Sequence, residues 1–206
     1  LFTGIHFHIG SQVTNLDVFK NLCIRVNEIA GWFEGKGMAV KVLNVGGGLG
    51  VDYVRPDEHS INDFELYFKV FADHLTVNAG QEVHFELGRA LVAQCGALVS
   101  RVLYVKNGLK KNFLVLDAGM TELIRPMLYQ AYHVIENLDR PVNNEAIVKY
   151  DVVGPICEST DCFRKDVELP ESFRGDLVAI RTAGAYGEVM ISGYNLRDRA
   201  GCLYTE

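Results

Sequence analysis

Apolar and polar residues change period as the first ninety positions are read. "GIHFHI" (4–9) alternates, the two-residue period of a strand with one apolar face. Asn15 suits a helix N-cap, and Val18, Leu22, Val26, Ile29 and Phe33 then recur at helical spacing, predicting a helix to about Gly35. "VKVLNV" (40–45) predicts a second strand and runs into "GGGLG". Ser60 and Asp63 have the spacing of a capping box, opening a helix with Phe64, Tyr67, Phe68, Phe71 and Leu75 on one face. "EVHFEL" (82–87) predicts a third strand ending in "GR". Strand, helix, strand, helix, strand is the order of a parallel sheet or barrel.

Beyond about Ala90 the pattern changes. "ALVSRVLYVK", "FLVLDAG", "AIVKYDVVG", "DLVAIRTAG" and "GEVMISG" are β-rich runs broken by Gly, Asn, Asp and Pro, with one possible turn near Met120 to Tyr129. The fold class expected is therefore α/β plus β. Residues 1–90 read as the last three strand–helix units of a partial (β/α) barrel, and residues 91–206 as a mostly antiparallel β domain. There is no internal repeat and no low-complexity linker.

Composition narrows the function classes. A net charge of −6 and a pI near 5.5 disfavour a nucleic-acid surface, which needs a basic patch. No apolar run approaches the length of a membrane span. Five cysteines, none in a Cys-x-x-Cys pair, argue against a disulfide framework or a zinc finger and suit a reducing cytoplasm. The chain opens without Met inside a strand-like pattern, as part of a longer protein would.

Chemistry gathers at the three strand ends of the first half: His8 to Gln12, Gly46 to Gly50, and Glu86 to Arg89. In (β/α)₈ barrels the carboxyl ends of the strands carry the active site. "NVGGGLG" offers bare backbone amides to a phosphate, or is a flexible turn. His6 and His8 share a strand face, as metal ligands, as a ring-stacking residue with a packing neighbour, or as a core pair; no further ligand at a matching spacing supports metal. Glu86 at a strand end could hold a ring nitrogen protonated, or pair with Arg89. In the second half, Arg125 offers a guanidinium fork for a carboxylate. Tyr129 follows it, and Tyr186 lies between small residues in "TAGAYGEVM". "VGPICESTD" sets the thiol of Cys157 beside the carboxylate of Glu158 on a predicted loop, where chemistry concentrates.

In this order and spacing, "HIGSQ", "GGGLG", "ELGR", "RPMLY", "GPICESTD" and "GAYG" resemble the diaminopimelate decarboxylases, pyridoxal-phosphate enzymes of the alanine-racemase-like barrel class. The resemblance covers the whole chain, although several of the single motifs also occur in ornithine and arginine decarboxylases. It implies that His8 stacks on the cofactor ring. Ser11 and the amides of Gly46, Gly47 and Gly48 hold its phosphate, with Gly88, Arg89 and Tyr186 contributing. Glu86 pairs with the pyridine nitrogen, which makes the ring an electron sink. Arg89, Arg125, Tyr129, Glu158 and Tyr186 bind an amino-acid substrate, meso-diaminopimelate, and Cys157 donates the proton. It also implies a homodimer with composite sites. Two departures stand out: Leu87 replaces the family's usual proline, and none of the chain's lysines has the context of the family's cofactor-anchoring lysine, so the 206-residue chain alone is expected to be inactive. The alternatives are a decarboxylase of the same class acting on ornithine, arginine or a carboxy-polyamine, and a cofactor-free regulatory relative.

Overall fold

The structure is a computed structural model that describes residues 2–140 and 146–205. Packing divides the chain into two compact units, Leu1–Val51 with His59–Leu91, and Asp52–Glu58 with Val92–Glu206.

The first unit is a parallel three-stranded sheet, β1 (Gly4–His6), β2 (Val42–Asn44) and β3 (Glu82–His84), with helices α1 (Asp17–Gly35) and α2 (Phe64–His74) in the connections. Ile5, Leu43 and Val83 stand in one row across the sheet, and His6, Asn44 and His84 in the next. Successive residues point to opposite faces, so one row packs on the helices and the other is polar. The helix faces differ from the predicted ones by about one position. On α1 the buried residues are Phe19, Leu22, Cys23, Val26 and Ala30, whereas Val18 and Ile29 reach solvent. The small Cys23 and Ala30 let the helix approach the sheet where larger apolar neighbours had drawn the prediction. The N-cap of α1 is Leu16, not Asn15, although Asn15 accepts the Asp17 amide at 2.9 Å just ahead of the helix.

Asp63, not Ser60, caps α2, accepting from Leu66 N at 2.8 Å. Tyr67 and Phe71 face inward, while Phe68 is partly exposed. Tyr67 is fully buried and meets Phe19, Phe71 and Phe85 edge-on, with centroids 5.0, 5.1 and 6.1 Å away. Such pairs contribute about 0.5–1.5 kcal/mol each beyond burial.

A short helix, α3 (Arg89–Val92), precedes the strands of the second unit. These are β4 (Leu98–Asn107), β5 (Asn112–Leu116), β6 (Ile135–Asn137), β7 (Ile147–Val153), β8 (Cys162–Pro170) and β9 (Leu177–Ile180), with helix α4 (Arg125–Tyr129) between β5 and β6. They form one sheet in the order β6-β9-β4-β5-β7-β8, antiparallel except for β5 beside β7. The two end strands, β6 and β8, approach one another, so the sheet curls toward closure around Val102, Leu114, Leu116, Val152 and Ile180. Closure protects strand edges that an open sheet exposes.

Two strands here escape the sequence pattern. In β8, Asp166 takes a positive φ of 54° and the register against β7 shifts twice, which breaks the simple alternation. In β6 there are only three residues. Conversely, "GEVMISG" is not a strand. Its backbone bonds close locally, Met190 N to Gly187 O and Ile191 N to Glu188 O, forming a 3₁₀ turn at Glu188–Met190. No helix among the described residues is long and apolar enough to cross a membrane.

Candidate active site

In the first unit the candidate residues converge where the three strands end. Hydrogen bonding continues past the strands themselves: Phe7 N donates to Asn44 O, Val45 N to His84 O and Glu86 N to Gly46 O. Gly46 and Gly48 have φ of 71° and 102°, which side chains disfavour. A Cβ at Gly46, Gly47 or Gly48 would lie 2.2 Å from Phe7 O, 2.1 Å from Glu86 O and 2.6 Å from Gly10 O respectively. The run is thus a packed turn where three backbones cross, not a flexible one. Its glycines are required by the fold whatever else their amides bind.

Glu86 is held from two sides. Asn44 Nδ2 donates to Oε1 at 2.9 Å, and His6 Nε2 lies 3.2 Å from Oε2. Asn44 in turn accepts the Gly46 amide at 2.9 Å, so one side chain ties the carboxylate to the glycine turn. The Asn44 bond, helped by the charges of His6 and His8, holds the Glu86 carboxyl below the usual carboxylate range, and it is ionised near neutral pH. His6 and His8 are both exposed, so they are not a core pair. Arg89 Nη2 donates to Ser11 Oγ at 3.0 Å, joining the first and third strand ends. Gly88 is exposed between Glu86 and Arg89, and Leu87 packs against the core.

In the second unit, Cys157 and Glu158 are exposed on the loop between β7 and β8. Asp161 organises that loop. Its buried carboxylate accepts Ile156 N and Met120 N, each at 2.7 Å. Burial pushes this carboxyl above the usual range, and the two amides offset that only in part. A Cβ at Gly154 would lie 2.3 Å from Asp161 Oδ2, so the loop folds directly onto the carboxylate. Tyr194 Oη donates to Glu158 Oε1 at 2.5 Å, and Asn195 Nδ2 donates to Cys157 Sγ at 3.4 Å.

Arg125, the first residue of α4, is buried. Its Nη1 donates to His133 Nε2 at 2.9 Å, and its guanidinium lies over the Tyr53 ring at 4.7 Å. His133 Nδ1 is 2.8 Å from Arg181 O and must donate there, which leaves Nε2 as the acceptor. Tyr129, at the other end of α4, is 62% exposed; Tyr186 is 38% exposed, next to Ala185, whose carbonyl accepts from Tyr53 Oη at 3.3 Å. Sequence reasoning did not single out Asn44, Tyr53, His133, Tyr194 or Asn195, nor the anchoring role of Asp161. Asn44 and Asp161 were within reach, since both border motifs that were singled out. The others act across long sequence separations that no local pattern marks.

Donors and acceptors of this kind define a class. The first unit sets a fixed anion at a strand end, with a hydroxyl, a guanidinium and backbone amides nearby; the second sets an exposed thiol beside a carboxylate. The chain belongs to the pyridoxal-dependent decarboxylases: residues 13–184 match the C-terminal sheet domain of that family. Its relatives narrow the likeness further. It is 55% identical to a diaminopimelate decarboxylase of Bacteroides thetaiotaomicron over 96% of this chain and 50% of that protein. It also resembles the Helicobacter pylori diaminopimelate decarboxylase solved with L-lysine, at 38% identity and a TM-score of 0.82, covering 94% of this chain and 46% of that one. A Vibrio vulnificus lysine/ornithine decarboxylase shares the fold at a TM-score of 0.85 but is only 23% identical, over 96% of this chain and 52% of that one. The chain spans about half the length of the curated relatives it matches.

The residues present fit the family's cofactor, pyridoxal phosphate. An ionised Glu86 suits a protonated pyridine nitrogen. Ser11, Arg89 and the amides of Gly47 and Gly48 suit a phosphate, while the Gly46 amide already donates to Asn44.

Proposed function

We propose that this chain supplies the carboxyl-terminal half of an enzyme that decarboxylates meso-2,6-diaminopimelate to L-lysine and CO₂. The observation that carries the reading is the loop pairing of Cys157 with Glu158, both exposed and both held by hydrogen bonds from Tyr194 and Asn195. The substrate has an amino-acid group at each end. One end reacts, and the other presents a carboxylate and an ammonium to be recognised together. Arg125 takes the distal carboxylate and Glu158 the distal ammonium, with Arg89, Tyr129 and Tyr186 completing the substrate contacts. A diamine-forming substrate such as ornithine has no distal carboxylate, which makes that alternative the weaker one.

Pyridoxal phosphate, when bound, supplies the electron sink for the pair left as CO₂ departs. Glu86 keeps its ring nitrogen protonated, and His8 stacks on the ring. Ser11, Gly46, Gly47, Gly48, Gly88, Arg89 and Tyr186 hold the cofactor. Cys157 Sγ–H gives its proton to the α-carbon, and the adjacent Glu158 keeps the substrate in line for it. A thiol, with an ordinary pKa near 8.5, is a suitable acid at neutral pH.

Residues 1–90 act as the last strand–helix units of a (β/α)₈ barrel, and residues 91–206 as the β domain that completes the active site. The enzyme works as a homodimer in which the Cys157–Glu158 loop serves the partner's site. Five unpaired cysteines suit a cytoplasmic location. The test is steady-state turnover by the whole enzyme containing this chain. Lysine and CO₂ should form from meso-diaminopimelate, with little turnover of ornithine or arginine; the reverse preference refutes the reading.

A further inference from the structure

We infer that Tyr194 and Asn195 are positioning residues for the reaction, a clasp that sets Glu158 and Cys157 for substrate. This rests on the reading of Cys157 and Glu158 given above. Two neighbouring residues of one turn engage two neighbouring residues of the loop, Tyr194 Oη on Glu158 Oε1 and Asn195 Nδ2 on Cys157 Sγ. All four side chains are exposed, so the contacts are not by-products of core packing.

The backbone of the clasp is specialised for this. Asn195 and Leu196 have φ of 55° and 57°, in the left-handed region. Asn tolerates that region and Leu does not, so the turn is held there by its surroundings. The surroundings are visible on both flanks. Ser192 N donates to Thr121 O at 3.1 Å. Arg197 donates to Thr121 Oγ1 at 3.2 Å, to Glu122 Oε1 at 3.4 Å and to Asp117 O at 2.5 Å. The same 117–122 segment supplies Met120 N to Asp161, the anchor of the Cys157 loop. One platform therefore fixes both the clasp and the loop it grips.

Each contact has a chemical consequence. The Tyr194 hydroxyl occupies one oxygen of Glu158 and fixes the plane of the carboxylate, directing the second oxygen to a cation. Tyr194 is itself held protonated, because its bond to Glu158 opposes ionisation. The Asn195 amide donates to sulfur and fixes where Cys157 points as it gives up its proton. It cannot surrender a proton of its own, so the acid remains Cys157.

Steady-state kinetics on the whole enzyme tests this with Tyr194→Phe, Asn195→Gly, Glu158→Gln, Cys157→Ala and the two matched double variants. Tyr194→Phe keeps the ring, and Asn195→Gly keeps the left-handed turn, so folding should be retained. Tyr194→Phe should raise KM roughly three- to thirtyfold with kcat little changed, and Asn195→Gly should lower kcat roughly tenfold with KM little changed. Adding Tyr194→Phe to Glu158→Gln, or Asn195→Gly to Cys157→Ala, should cost almost nothing more, because each clasp residue acts through its partner. Full additivity in the double variants, or unchanged kinetics in the single clasp variants while Glu158→Gln and Cys157→Ala are impaired, overturns the clasp alone. Normal kinetics in Glu158→Gln and Cys157→Ala overturns both the clasp and the functional reading beneath it.

Discussion

Asp161→Ala should be the most damaging single change in the loop that carries Cys157, though the carboxylate it removes bonds to neither Cys157 nor Glu158. The carboxylate is 3% exposed and accepts two backbone amides, Ile156 N and Met120 N, both at 2.7 Å. Charge-assisted bonds contribute about 1.5–3 kcal/mol each, and two would give about 3–6 kcal/mol. Burying the charge opposes this and outweighs the two bonds, as the upward displacement of its titration shows, so the loss in the variant rests mainly on the amides set free. Alanine takes away the partner of the buried Ile156 amide and of the half-buried Met120 amide. A net loss of about 2–4 kcal/mol is expected. For a unit of this size, that lowers the melting temperature by roughly 10 °C.

The assay must see the right region. Trp32, the chain's single tryptophan, lies in the first unit, so its fluorescence does not report on the loop. Hydrogen exchange does: the amides of Ile156 and Met120 should lose protection in the variant, and kcat should fall as Cys157 loses its fixed position. A variant that melts within about 1 °C of the parent, with both amides still protected, refutes the assignment of Asp161 as the loop's anchor.

Other expectations follow from the same geometry. Cys157→Ala should lower kcat by roughly 10²–10⁴ with substrate binding retained. Glu158→Gln should mainly raise KM, by roughly ten- to a hundredfold, and normal binding in that variant contradicts its role. Asn44→Leu removes the chief support of the ionised Glu86 carboxylate, so pyridoxal phosphate should bind more weakly and the acid limb of binding should move to higher pH, as absorbance titration would show. Acid should destabilise the second unit through Asp151 and Asp176, both held below the usual carboxylate range. Burial pushes each upward, but Lys111 and the Asp166 amide outweigh it at Asp151, and Asn137, the Phe173 amide and Arg140 do so at Asp176. Depressed carboxyls lend stability above the ordinary aspartate range and lose it as the pH falls through the depressed one. The melting temperature should therefore fall below about pH 4, and Asp176→Asn should flatten that slope while lowering stability at pH 7. The 206-residue chain on its own should release no lysine from meso-diaminopimelate even with added pyridoxal phosphate, and measurable turnover would contradict this.

Residue order alone determined the parallel strands of the first unit, the change to β structure after Ala90, and the residues at the three strand ends. Those features rest on period, glycine placement and chemical type, all local properties that the chain displays without folding. The family resemblance was legible for the same reason: its motifs are short and contiguous. What only the tertiary structure decided is how those residues are held. Asn44 reaches Glu86 across 42 positions, His133 Nδ1 reaches the Arg181 carbonyl across 48, and Tyr194 reaches Glu158 across 36. The helix face of α1 depended on how closely Cys23 and Ala30 let it approach the sheet, and the bulges of β8 on its pairing with β7. Hydrogen bonds and packing between distant segments leave no period in the sequence, because the partner that selects each conformation lies elsewhere in the chain.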